Sequence, residues 1–169
     1  MLGEQTLSEN LKSLTEIYTG EELRNLIQAT EESRSPENAS KLALEIYTLV
    51  SDQAWFVLGY EHVWEATVLT MQKLAEESAN AGSADGALLA GVIAGQTWAI
   101  GGSVSGPDMG AVDLARNPII TADHQKALAW FEKGAAIGDE LCAKNVEIAR
   151  GIIAKHAAAS PPPEAPRPL

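Results

Sequence analysis

Leu7, Leu11, Leu14 and Ile17 recur every three or four residues, with Ser, Glu, Asn, Lys and Thr between them. That spacing is one face of a helix with a narrow apolar stripe, and Gly20 stops it. Thr19 and Glu22 have the spacing of a capping box, so a second helix is predicted over about 21–33, with Leu23, Leu26 and Ile27 inward. Ser35-Pro36-Glu37 gives an N-cap with proline at the first helical position. The third helix carries Leu42, Ile46, Leu49 and Val50 on one face and ends near Ser51-Asp52. Residues 53–80 hold no proline and a single glycine, Gly59, so they form one long helix or two. Trp64, Val68, Met71 and Ala75 are again at helical spacing there.

Asn80-Ala81-Gly82-Ser83 reads as a helix stop followed by a new N-cap. A helix of small residues follows, roughly 84–99, on which another helix can approach closely. Gly101 to Gly110, dense in Gly, Ser and Pro, reads as a loop, with no strand before it. Thr121 begins the next helix, with Ala127, Leu128, Trp130, Phe131 and Ala135. Gly138-Asp139 ends it and caps the last one, which holds Leu141, Ile148 and Ile152 on one stripe and Val146, Ala149 and Ile153 beside it. Nowhere is a two-residue alternation sustained. The prediction is an all-α chain of about seven antiparallel helices joined mostly by short turns. The domain spans 1–158, and residues 159–169, rich in proline, form a disordered tail.

Two stretches look alike. Ser78-Ala79-Asn80-Ala81-Gly82, then Gly86 and Ala90-Gly91, parallels Gly134-Ala135-Ala136-Ile137-Gly138, then Cys142 and Val146. In each, glycine ends a helix in a left-handed turn, and small residues line the face where the two helices meet. Within Asp123 to Gly138, the residues Asp123, Lys126, Ala127, Trp130, Lys133, Ala135 and Gly138 match the pattern of a Sel1-like repeat, a relative of the tetratricopeptide solenoids. Phe131 stands where that pattern has Tyr, and Gly134 where it has Ala. Gly82 to Gly91 resembles the start of the preceding helix pair. The resemblance covers residues 78–153, with an inserted loop at 96–120; residues 1–77 are divergent helices. It implies a right-handed stack of helix pairs with a concave binding face, used by adaptors, scaffolds and assembly factors.

Composition narrows the chemistry. The 169 residues carry a net charge of −11. Residues 1–80 hold 14 acids against 5 bases, and residues 81–169 hold 9 against 7. Such a surface repels phosphate backbones, so nucleic acid is not an expected partner; a protein with a basic surface is, drawn to the acidic half. No apolar run spans a membrane, and the opening Met1-Leu2-Gly3-Glu4-Gln5 is no secretory signal, which makes the cytoplasm the default.

His62, His124 and His156 show no metal-ligand spacing, so no metal or cofactor is expected. Cys142, the one cysteine, has no flanking base or orienting group, and no catalytic residue stands out. The carboxylate doublets belong to solvated helix faces, because neighbours on a helix point about 100° apart. The Gly101–Gly110 loop lacks the Gly-Lys-Ser/Thr of a phosphate cradle. Aromatic residues are the best candidates for binding energy. Trp55, Phe56, Tyr60 and Trp64 span too many helical angles for one stripe, so most are expected in the core and one or two at a contact surface; the candidate contact residues are Trp55, Tyr60 and Trp64, with Trp98 beside the insertion. The expected function is a non-catalytic adaptor or scaffold. A dedicated binder of one target (a secretion chaperone or an immunity protein) and a structural subunit of a larger assembly are the alternatives.

Overall fold

The computed structural model describes residues 6–51, 61–99, 102–105 and 118–160. Among them are eight helices and one two-stranded hairpin: α1 (Leu7–Asn10), α2 (Lys12–Ile17), α3 (Glu21–Glu32), α4 (Pro36–Ser51), α5 (Glu61–Asn80), α6 (Ala84–Ala94), β1 (Gln96–Ala99), β2 (Gly102–Ser105), α7 (His124–Ala136) and α8 (Glu140–Ala159). The expected all-α class holds for most of the described chain. Trp55, Phe56, Tyr60 and most of the tail lie outside the described residues, as does the 106–117 part of the insertion.

The first helical stripe is split. The helix breaks at Leu11 into α1 and α2, yet Leu7, Leu11 and Leu14 are all buried. The capping box that forms is Thr6 with Glu9, each side chain holding the other's backbone N–H, at 3.2 and 2.9 Å. The one expected at Thr19 and Glu22 does not form: α3 has Gly20 at its N-cap and no side-chain cap. Ser35 caps α4 as expected, accepting from the Asn38 N–H at 3.1 Å.

From α4 onward each helix packs on its neighbour in the chain, α4 on α5, α5 on α6, α6 on α7 and α7 on α8. Second-neighbour contacts join α4 to α6, α5 to α7 and α6 to α8. The turns before α6 and α8 share the same pair of closing hydrogen bonds. Gly82 (φ +93°) and Gly138 (φ +92°) sit in the left-handed region. Ser83 N–H donates to Ser78 C=O at 3.1 Å, and Asp139 N–H donates to Gly134 C=O at 3.2 Å. Gly82 N–H reaches Ala79 C=O at 3.1 Å, and Gly138 N–H reaches Ala135 C=O at 3.0 Å. Both are Schellman stops. Ser83 and Asp139 then cap the next helix, accepting from Gly86 N–H and Cys142 N–H. The internal likeness in sequence is thus a likeness in backbone hydrogen bonding.

Part of the segment expected as an inserted loop is ordered differently. Gln96 to Ala99 is a strand, paired antiparallel with Gly102 to Ser105. Register places Ala99 opposite Gly102, which leaves a two-residue connection, the commonest hairpin length. Trp98 also exchanges backbone bonds with the returning chain: its N–H donates to Ile120 C=O at 2.8 Å, and its C=O accepts from Ile119 N–H at 2.8 Å. Asp123 N–H then binds Ala94 C=O at 2.8 Å, so the insertion leaves α6 and re-enters α7 at one point. Helix α7 begins with Asp123 as its cap, two residues later than expected from Thr121.

Candidate functional site

Two of the four candidate contact residues are in view, and both are core. Trp64 and Trp98 are 0% exposed. Trp98 is carried inward by β1, where Thr97, Trp98 and Ala99 are all buried. Its ring meets Tyr47 edge to face at 5.8 Å, and its Nε1 donates to Ile93 C=O at 3.3 Å. Trp64 lies on the buried side of α5 with Val68, Met71 and Ala75. Neither offers surface to a partner. Trp55 and Tyr60 lie outside the described residues.

The other residues that match the Sel1-like pattern serve the fold. Asp123 caps α7 through the Lys126 N–H at 2.9 Å, and Lys126 pairs with Glu76 of α5 at 2.7 Å. Lys133 binds Asn80 at 2.7 Å and lies over the Trp130 ring at 5.3 Å. Ala127 and Phe131 are buried, and Ala135 and Trp130 pack half-buried beside them. Gly91 faces the Phe131 ring so closely that any side chain there meets it.

Two apolar hollows open over α4, α6 and α8. Between α4 and α6 lies a groove of about 430 Å3, with Leu44, Tyr47, Leu88 and Val92 in its lining, flanked by Lys41 and Asp85. A second hollow of about 190 Å3 between α6 and α8 shares Val92 and adds Gln96, Ile148 and Ile152. Leu44 is 55% exposed and Ile148 59% exposed. On α8 the stripe that packs inward is Cys142, Val146 and Ala149, while Leu141 and Ile148 face out. At Cys142 the approach is close: Gly134 of α7 stands opposite it, where a larger side chain has no room. Tyr47 is the aromatic residue that reaches this groove, and its hydroxyl accepts from Gln96 Nε2 at 3.4 Å.

Cys142 is 0% exposed. Burial first, then the carboxylate of Asp139 and the charge of Asp85, push its thiol up to about 12. It stays a protonated, inert thiol at neutral pH. Folding therefore favours the protonated form, a contribution fully present below the ordinary thiol range and lost as the pH climbs from about 9 toward 12. Iodoacetamide at pH 8 is expected to label Cys142 at least 100-fold more slowly in the native protein than in urea, read by mass spectrometry; equal rates would contradict this burial.

One pair escaped the sequence. His124, at the start of α7, and His156, near the end of α8, stand with ring centres 5.2 Å apart, at 73° to each other. They border a hollow of about 420 Å3 with Thr121, Asp123 and Ile153. Burial first, then His156, hold His124 below the ordinary imidazole range, against an opposing pull from Asp123. Their separation in the chain gives no periodic signal; only the α7–α8 pairing unites them. Among the described residues, no three His, Cys, Asp or Glu side chains converge as a metal site, and no helix is long and apolar enough to cross a membrane.

Comparison with known protein families, with curated proteins and with solved structures finds no match.

Proposed function

We propose that the protein is a non-catalytic binding module, an adaptor or scaffold of the Sel1-like kind, whose α4–α6–α8 face takes an apolar segment of another protein. The carrying observation is the continuity of that face: Leu44, Leu88, Val92, Ile148 and Ile152 line two hollows that meet at Val92. Alternate helices of a stacked helix-pair protein line its concave side, and such surfaces are where solenoids take their ligands. The matched turns at Gly82 and Gly138, each leading into a helix of this face, support reading α6–α7 as one unit of that stack and α8 as the opening of the next. Acidic residues dominate positions 1–80, which suits a partner with a basic surface around its apolar anchor.

Tagged wild-type protein used as bait in an extract of its native cells is expected to retain one stoichiometric partner. Leu44→Asp and Ile148→Asp place a charge in the groove at positions already open to solvent, so folding is spared. Each is expected to weaken capture at least tenfold. Leu69→Asp, on α5 and 43% exposed, is expected to leave capture unchanged. Equal capture by all four proteins would reject the groove, and a wild type that captures nothing and stays monomeric would reject the module.

A subunit of a larger assembly is the second reading, favoured by Ile137 and Leu141, 55% and 54% exposed around the last turn. Sedimentation separates the two: an assembly gives a ladder of self-associated species, a binding module a monomer.

A further inference from the structure

We propose that His124 and His156 form a two-imidazole site for a divalent transition-metal ion, which would tie the start of α7 to the end of α8. The geometry carries it. Two imidazoles bound to one ion through a ring nitrogen at about 2.0–2.1 Å, with an angle between square and tetrahedral, have ring centres about 4.5–5.3 Å apart. The two ring centres stand 5.2 Å apart, within that range. Imidazole suits Zn, Cu and Ni ions. The bordering hollow of about 420 Å3 is open to water, which fills the positions that protein donors leave free; no third protein ligand converges there among the described residues.

The location gives the ion a consequence. Helix α8 buries Cys142, Val146 and Ala149 but no residue beyond them. From Ala154 to Ser160 every residue is exposed. The His pair, with the half-buried Ile152 and Ile153, lies where this end of α8 meets the body. A metal bridge would therefore hold the last turns of α8, and with them the Ile148–Ile152 rim of the groove.

The test is calorimetric titration of the full chain with zinc chloride and, separately, nickel chloride, alongside hydrogen exchange. One equivalent is expected to bind with micromolar affinity and to slow amide exchange in the last turns of α8. His156→Ala, at an exposed position, and His124→Gln are each expected to weaken binding at least tenfold and abolish the added protection. His62→Ala and Cys142→Ala are expected to keep both. Circular dichroism confirms that each variant is folded. A wild type that binds neither ion at millimolar concentration would overturn the proposal, as would binding that survives both the His124 and the His156 substitution.

Discussion

Trp98→Ala is expected to cost about 3–5 kcal/mol of unfolding free energy, as removal of a fully buried large aromatic does. A domain's total stability is about 5–15 kcal/mol, so this single change removes a large share of it. Three losses combine. The indole vacates a site that is 0% exposed. Its edge-to-face contact with Tyr47, at 5.8 Å, is worth about 0.5–1.5 kcal/mol beyond the area it buries. The Ile93 carbonyl loses its indole donor at 3.3 Å. Trp98 is also the residue at which the insertion is paired, to Ser103 across the hairpin and to Ile120 on the returning chain, so the cavity opens beneath the hairpin. Trp98→Phe keeps most of the volume and gives up the hydrogen bond, and a smaller loss, about 1–2 kcal/mol, is expected. Urea unfolding at 25 °C measures both. A loss under about 1 kcal/mol for the alanine variant would return Trp98 to the surface role that its place beside a Gly-rich stretch suggested.

That contrast shows which features a single sequence carries. Helix stops and caps are local chemistry, and they were legible: Ser35, Gly82 with Ser83, and Gly138 with Asp139 do what their types and spacing predict. Thr6 and Thr19 show the edge of that legibility. Both precede Glu by three residues, yet only Thr6 forms the box, while Gly20 takes the N-cap of α3. The β-hairpin was hidden because Thr97, Trp98 and Ala99 are buried in succession, which gives no alternation, and because the glycine at 102 lies in a strand rather than a loop. The inward face of α8 was hidden for a steric reason. Ile148 and Leu141 are the more hydrophobic residues, but Cys142, Val146 and Ala149 take the inner face, and at Cys142 the close approach of Gly134 on α7 leaves no room for a larger side chain. That choice leaves Ile148 outside, where it lines the hollow between α6 and α8. The His124–His156 pair depends wholly on tertiary packing, and no periodicity could have announced it.

Gly134 is where that steric argument meets a decisive test. A Cβ built there would press on the Cys142 sulfur, stand 2.9 Å from the Cys142 Cβ and 3.2 Å from the Ala87 Cβ. These atoms belong to α8 and α6, so no flexible side-chain end is available to move aside. Gly134→Ala gains about 1 kcal/mol from helix propensity and loses about 1–3 kcal/mol by overpacking, for a net loss expected near 1 kcal/mol. Gly134→Val adds two further methyl groups with little propensity gain, and a loss of about 3 kcal/mol is expected. The Sel1-like pattern carries Ala where this chain has Gly134, and here Cys142 fills the space opposite. Exchanging the volumes is therefore the informative experiment. Gly134→Ala combined with Cys142→Ala moves bulk from α8 to α7, and the pair is expected to couple favourably by about 1 kcal/mol in a double-mutant cycle. Strict additivity would mean that the two residues do not share one space. Gly134 lies between Ala87 of α6 and Cys142 of α8, so added volume there is expected to push these helices apart and alter the hollow that Val92 and Ile148 line. Gly134→Ala held well below its melting temperature is accordingly expected to weaken partner capture severalfold while folded, and the double variant to restore it. Restoration of stability without restoration of binding would separate the packing of α7 from the shape of the binding face.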